Sequence, residues 1–334
     1  MHIFFYILFA IVLFLVELLY FHLASANKII DRPNERSSHT IVTIRGGGII
    51  FPIAAICWAI LNHFQFPFFI SGLFLISFIS LLDDIKNLHS RTRSFFHFLS
   101  VSLMLYQLPL STNWYWYIPV FIVIVGFINA YNFMDGINGI TGGYSLITLG
   151  SLWYVNHFIN PFISESFIVF LILSLIVFNF FNFRPKAKCF AGDVGSVSIA
   201  FIISFLLIQA IFHANNFIFI GFVLVYGLDA VSTILFRLIR RENIFKAHRT
   251  HFYQFLSNEK QWPHLSVSIV YCILQLLINS LVLILFDKGI TGNGIAIIGF
   301  MVFGTGILFV ILRFKMEGYR RLLGINRYNN YKAK

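Results

Sequence analysis

Charge is what this chain has least of. Only 11% of its 334 residues are Asp, Glu, Lys or Arg, and just 13 are acidic. Soluble domains carry about 25% charged residues, so a chain that is 58% hydrophobic and 18% aromatic cannot hide its apolar surface from water, and the bilayer has to be its solvent. Cysteine is scarce too: Cys57, Cys189 and Cys272 are the whole set and no two have CxxC spacing, which excludes a disulfide framework and a thiolate metal site. There is no internal repeat and no polar stretch long enough for a separate soluble domain, so residues 1–334 are expected to form a single integral-membrane domain. Met1 to Tyr6 lack Lys and Arg. The first apolar run, although followed by Ala24-Ser25-Ala26, is therefore expected to be a retained helix rather than a cleaved signal.

Long apolar runs are abundant. They cover 3–23, 47–64, 67–82, 95–110, 114–131, 140–157, 163–183, 196–213, 217–236, 265–286 and 291–313. Crossing a hydrocarbon core of about 30 Å as a helix takes roughly 20 apolar residues, and the pattern predicts an all-α polytopic membrane protein with about eleven transmembrane helices. An odd number puts the termini on opposite sides. If every run crosses, 23 of the 24 Lys and Arg residues fall on one side and only Lys288 on the other. The positive-inside rule then predicts a periplasmic N-terminus, a cytoplasmic C-terminus and a cytoplasmic face for the polar loops. The net charge of +11 does not signal nucleic acid, because the basic residues are spread over short loops rather than gathered with aromatics into a patch.

The few acids sit where those loops begin. Asp83 and Asp84 end a run that holds no other ionisable residue, and charge beside hydrocarbon is costly unless a cation or a water-filled cleft receives it. Neighbours on a helix project about 100° apart, so the pair should serve different roles. Interfacial acids facing Lys86 and Arg91 are the plain alternative. Asn129-Ala130-Tyr131-Asn132-Phe133-Met134-Asp135-Gly136-Ile137-Asn138-Gly139 sets amide and carboxylate oxygens among turn-forming glycines, and irregular backbone at membrane depth has to be buried in protein or line a polar cavity. Arg184, Lys186 and Lys188 precede Ala191-Gly192-Asp193-Val194-Gly195-Ser196. The amides at a helix start suit anionic oxygens and Asp193 suits a hard cation bridging to them, against the simpler reading of a basic loop with a capping Asp.

The first loop joins Arg36, His39 and Arg45 to a triple glycine that permits close backbone approach to a ligand. The last carries Arg237, Lys246, His248, Arg249 and His251. The two histidines stand three apart without a third zinc-spaced ligand, which favours phosphate contact over zinc. Asp229 could pair with Arg237 or belong to the cleft, and Glu17 in the first run has no evident role.

Taken in order, DRPNERSSH with RGGG, LLDDIKNL, NAYNFMDGING, KCFAGDVGS and AHRTHFYQFL resemble the motifs of the polyprenyl-phosphate N-acetylhexosamine-1-phosphate transferases, the family that includes phospho-N-acetylmuramoyl-pentapeptide translocase. The resemblance covers nearly the whole chain, and the last motif is more similar to the branch that starts O-antigen or capsule synthesis. It implies transfer of an N-acetylhexosamine-1-phosphate from a UDP-N-acetylhexosamine to undecaprenyl phosphate, with release of UMP, in a bacterial inner membrane with the site facing the cytoplasm. It further implies Mg²⁺, with Mn²⁺ as a substitute, on Asn132 and Asp193, and catalytic or orienting roles for Asp83, Asp84 and Asp135. Substrate contacts are implied for Arg36, His39, Arg45, Asn129, Asn138, Lys186, Lys188, His248, Arg249 and His251. A homodimer is compatible with this reading, and nucleic acid is not a partner. Two departures stand out: Asn138 occupies the place of a second Asp, and Val42 and Ile44 replace prolines. An anion or nucleotide-sugar transporter is the rival reading, but transporters hold their polar groups near the midplane in related halves, and neither is visible here.

Overall fold

The computed structural model describes residues 3–31, 42–108, 114–244, 248–289 and 294–325. Among the described residues each of the eleven apolar runs overlaps a helix. The long helices are α1 (Ile3–Ala26), α2 (Ile50–Leu61), α3 (Pro67–Lys86), α4 (Ser90–Gln107), α5 (Tyr117–Met134), α6 (Ile140–Tyr154), α7 (Glu165–Asn182), α8 (Gly192–Ala214), α9 (Leu224–Ile239), α11 (His264–Asp287) and α12 (Gly294–Glu317). Two short helices, α10 (Phe252–Gln254) and α13 (Tyr319–Leu323), follow α9 and α12. Among the described residues eight segments are long and apolar enough to cross a bilayer: α1, α3, α5, α7, α8, Phe217–Ile239, α11 and α12. The other three have local reasons for falling short. With the 3₁₀ turn before it, α2 is a shorter apolar helix, Gly47–Leu61; α4 opens on Ser90-Arg91-Thr92-Arg93; and α6 spans only 15 residues before a π-helical turn, Val155–Ile159. The protein is a polytopic, helical membrane protein.

One element lies outside the helical expectation. Ile30–Asp31 (β1) pairs antiparallel with Thr43–Ile44 (β2), and Ile44 forms a parallel bridge to Cys189. The amides of Gly47 and Gly48 then reach the carbonyls of Phe190 and Ala191 at 2.8 and 3.1 Å. Two segments 145 residues apart in sequence are thereby stitched through main-chain atoms at the start of α8.

Helix α8 is the post around which the bundle is built: 89% of its apolar window is buried, against 17% for α1 and 11% for α12. A transmembrane helix gains nothing from shedding lipid for equally apolar side chains, so close approach through small residues drives its packing. A Cβ placed on Gly195 would lie 2.6 Å from the Cα of Gly48, so the backbones there touch. Flat aromatic contacts fill the space further along, with Phe69 stacked on Phe205 at 4.0 Å. On the other flank Tyr144 stacks on Tyr226 at 3.7 Å, and Gln275 ties α11 to the carbonyl of Gly221 at 2.8 Å.

Candidate active site

The last turn of α3, the first turn of α8, the last turn of α5 and the glycine turn at residues 45–48 meet at one end of the bundle. The two neighbouring acids of α3 look in different directions. Asp84 faces the start of α8, where its Oδ1 accepts the amide of Asp193 at 2.9 Å and its Oδ2 that of Val194 at 3.0 Å. It thus satisfies two of the donors a helix start leaves open and complements the positive end of the helix dipole. Gly192, at φ +70°, lets the backbone turn into that contact, since a Cβ there would meet Asp84 Oδ2 at 2.6 Å. Asp83 instead accepts the amide of Leu88 at 2.6 Å through Oδ1.

Two arginines bind these acids to Asp193. Arg45 places Nε 2.6 Å from Asp84 Oδ1 and a terminal nitrogen 3.3 Å from Asp193 Oδ1. Arg93 uses one nitrogen for both of its contacts, 2.6 Å from Asp83 Oδ2 and 3.5 Å from Asp193 Oδ2. The side chain of Asp84 is 0% exposed, that of Asp83 6% and that of Asp193 18%, so Asp193 is the carboxylate that solvent and a ligand can reach. Burial works against the charge on Arg45, yet the carboxylates of Asp84 and Asp193 hold its guanidinium above the ordinary arginine value.

Asn132, in the last turn of α5, reaches the same place. Its Oδ1 accepts the hydroxyl of Ser196 at 2.6 Å, one turn into α8 from Asp193. Asp135 caps α5, and burial lifts its carboxyl to about 6, with the nearby Asp84 adding to the lift. Three aspartates thus stand against two arginines, and ionisation of Asp135 would add a second uncompensated negative charge. Among the described residues no three His, Cys, Asp or Glu side chains form a metal-holding group. The oxygen-rich donors and the surplus negative charge instead fit Mg²⁺, which takes few protein ligands and keeps the rest of its octahedron for water and phosphate.

The remaining sequence-predicted residues divide. Asn138 spends its amide on the carbonyls of Arg184 and Pro185, at 3.0 and 3.1 Å. It therefore holds the Arg184–Lys188 loop, and a carboxylate could not donate these bonds, which gives a structural reason for an amide at that position. Asn129 is exposed and donates to Val125 of its own helix. Lys186 and Lys188 are exposed. His248 lies 2.7 Å from Arg237 and its ring stacks on His251 at 5.0 Å between centroids. Phe133 stands 6.0 Å from one and 6.5 Å from the other, which sets the last loop beside Asn132 and Asp135; Arg249 is half-buried between the two histidines. Arg36 and His39 lie outside the described residues.

Asp229 lies on the last loop's side of the cleft, its Oδ1 3.4 Å from His251 Nδ1. Arg237 pairs with Glu242 at 3.3 Å, while Asp229, fully buried, accepts the amide of Phe252 at 2.8 Å and the hydroxyl of Tyr271 at 2.6 Å. Glu17 is buried behind the first loop, with Cys189 Sγ 3.6 Å from its Oε1. Sequence reasoning missed Arg93, Ser196 and Tyr20, whose hydroxyl holds the carbonyl of Arg45 at 2.7 Å. Arg93 was visible only as one of the basic residues following LLDD.

A polytopic membrane protein whose acids and arginines gather at one end of its helices is the class this arrangement defines. Residues 66–211, from α3 to α8, match the family model described as glycosyl transferase family 4. The chain is 25% identical over 266 residues to the probable undecaprenyl-phosphate N-acetylglucosaminyl 1-phosphate transferase of Bacillus subtilis, covering 73% of this chain and 74% of that one. It is 29% identical over 235 residues to the phospho-N-acetylmuramoyl-pentapeptide-transferase of Dictyoglomus turgidum, covering 64% and 75%. With that of Staphylococcus carnosus it shares 32% identity over 199 residues, covering 58% and 57%. Over residues 66–211 the chain is thus similar to glycosyl transferase family 4.

Proposed function

We propose that this protein transfers an N-acetylhexosamine-1-phosphate from a UDP-sugar to undecaprenyl phosphate at the cytoplasmic face of a bacterial inner membrane, making the first lipid-linked intermediate of O-antigen or another surface polysaccharide. The observation that carries the reading is Asp193: partly exposed at the start of α8 and bridged by Arg45 and Arg93 to the acids of α3, in a chain similar to a probable undecaprenyl-phosphate N-acetylglucosaminyl 1-phosphate transferase. The eleven-span topology with a periplasmic N-terminus belongs to the same proposal and requires α2, α4 and α6 to cross as well.

An oxygen of the lipid phosphate attacks the sugar-bearing phosphorus of the UDP-sugar. The bond from that phosphorus to the bridging oxygen breaks, and UMP leaves with the electron pair. A phosphate monoester with a second pKa of about 6 is largely dianionic at neutral pH, so the chain need not supply a base. Its work is in-line positioning and management of charge. Asp193 and Asn132 would hold Mg²⁺, which when bound neutralises the diphosphate and the leaving UMP. Arg45 and Arg93 keep Asp193 aimed, and Asp84 fixes the helix start on which Asp193 stands. Asp83 shares Arg93 with Asp193 and orients that guanidinium. The segment of His248, Arg249 and His251 supplies donors and positive charge for the nucleotide, with Lys186 and Lys188 exposed on the neighbouring loop. The transporter alternative is disfavoured by the position of the acids, which sit at helix ends rather than at the midplane.

The test is UMP release by purified protein given undecaprenyl phosphate, Mg²⁺ and a panel of UDP-N-acetylhexosamines. Release that requires both the lipid and the metal, is stopped by EDTA and resumes with Mg²⁺ or Mn²⁺ is the expected result. Release independent of the lipid, or none from any sugar of the panel, would overturn the proposal.

A further inference from the structure

Tyr253 follows directly on the histidine segment and is fully buried. Its hydroxyl donates to the carbonyl of Phe133 at 2.8 Å, across 120 residues of chain. That carbonyl belongs to the last turn of α5, where helix geometry leaves carbonyls without partners, and its neighbours are Asn132 and Asp135. Gly136 makes the approach feasible, because a Cβ there would overlap the Tyr253 hydroxyl.

The other end of the contact is anchored as firmly. The Asp229 carboxylate accepts the amides of Phe252 and Tyr253, at 2.8 and 3.2 Å, as well as the Tyr271 hydroxyl. Arg313 of α12, itself buried, donates to Thr233 at 2.8 Å and to the carbonyl of Thr250 at 2.9 Å. Hydrogen bonds to a buried charge are among the stronger ones. The segment 250–253 therefore cannot swing without breaking several of them, and the direction of the Tyr253 hydroxyl follows.

We infer that Tyr253, aimed by Asp229, is a positioning residue for the transfer: it locks the last turn of α5 so that Asn132 keeps facing Ser196 at the start of α8. The inference rests on the reaction proposed above. It also gives α12, far from the acids, a part in the site through Arg313.

The test is Tyr253→Phe, which keeps the ring and removes the latch. Small misplacements of reacting groups cost rate rather than binding, so kcat should fall by about tenfold or more while KM for the UDP-sugar stays within about twofold. The Mg²⁺ concentration for half-maximal rate should rise, because Asn132 is released. Gly136→Ala displaces the same hydroxyl, so the double variant should lose less activity than the product of the two single losses. In substrate-free protein, amide exchange at 133–136 should speed up in Tyr253→Phe and in Asp229→Asn alike. A wild-type kcat in Tyr253→Phe, multiplicative losses in the double variant, or unchanged exchange at 133–136 would each overturn the inference. A wild-type protein that transfers no sugar would defeat the proposed reaction instead, while the exchange measurement would still decide whether the latch exists.

Discussion

Asp84 holds the start of α8 and Arg45 together: one carboxylate takes the amides of Asp193 and Val194 and, at 2.6 Å, the Nε of Arg45. Asp193 sits in the same turn but is the more open of the two. The acids therefore divide into one that builds the site and one that faces its ligand.

Substitution should separate them. Asp193→Ala is expected to lower the transfer rate by roughly 100- to 1,000-fold, the scale of losing one preorganised electrostatic group, with little change in the melting midpoint in detergent. Asp84→Ala leaves two helix amides without their acceptor and Arg45 with Asp193 alone, and an unsatisfied buried donor costs about 1–3 kcal/mol. It should lose both rate and stability. Equal melting midpoints for the two variants would refute the division.

The two arginines should respond differently to lysine. Arg45 reaches two acids with two nitrogens, a fork that an ammonium cannot reproduce. Arg93 serves both of its acids with a single nitrogen, which a lysine point charge can imitate. Initial-rate assays should find Arg93→Lys much closer to wild type than Arg45→Lys, and the reverse order would show that these ion pairs do not govern activity.

Asp135 should leave a signature in stability against pH. Its carboxyl is lifted from 3.8 to about 6 in the folded protein, so between those values the folded state holds a proton that the unfolded state has released. Its contribution is fully present below the unfolded value and is lost as pH rises through the folded one. The melting midpoint of wild type should therefore carry a downward component from about pH 4 to pH 6, and Asp135→Asn should remove it. Parallel curves for the two proteins would rule this out.

The contact between α8 and the first-loop turn predicts a sharp positional effect of one methyl group. In Gly195→Ala the new Cβ would meet the Gly48 Cα at 2.6 Å, and overpacking of this kind costs about 1–3 kcal/mol. Gly126, whose added Cβ meets nothing within 4 Å, is the control. Detergent melting curves should show a loss for Gly195→Ala and none for Gly126→Ala.

Much of this was legible in the residue order because a bilayer imposes one-dimensional rules. Apolar length marks the helices, and acids at their ends made Asp83, Asp84, Asp135 and Asp193 candidates for one site, to which the family resemblance added Asn132. What could not be read were partnerships set by helix rotation and by crossing chains. Whether Arg91 or Arg93 meets Asp83 depends on where α4 starts its first turn. The donation from Asn138 to Arg184 and Pro185 depends on how α6 sits against α7. Asp229 looked like a partner for Arg237, two helical turns away, because spacing along one helix says nothing of the segment 250–253 that packs across it.

The stitching of residues 44–48 to 189–191 through amides and carbonyls has a further consequence. Main-chain groups are common to nearly all residue types, so the frame that aims Arg45 at Asp193 is nearly blind to which letters occupy the two loops, provided none intrudes where the backbones touch. Such a frame can accept new side chains around its rim, and with them a different sugar, while the charged centre beneath stays where it is.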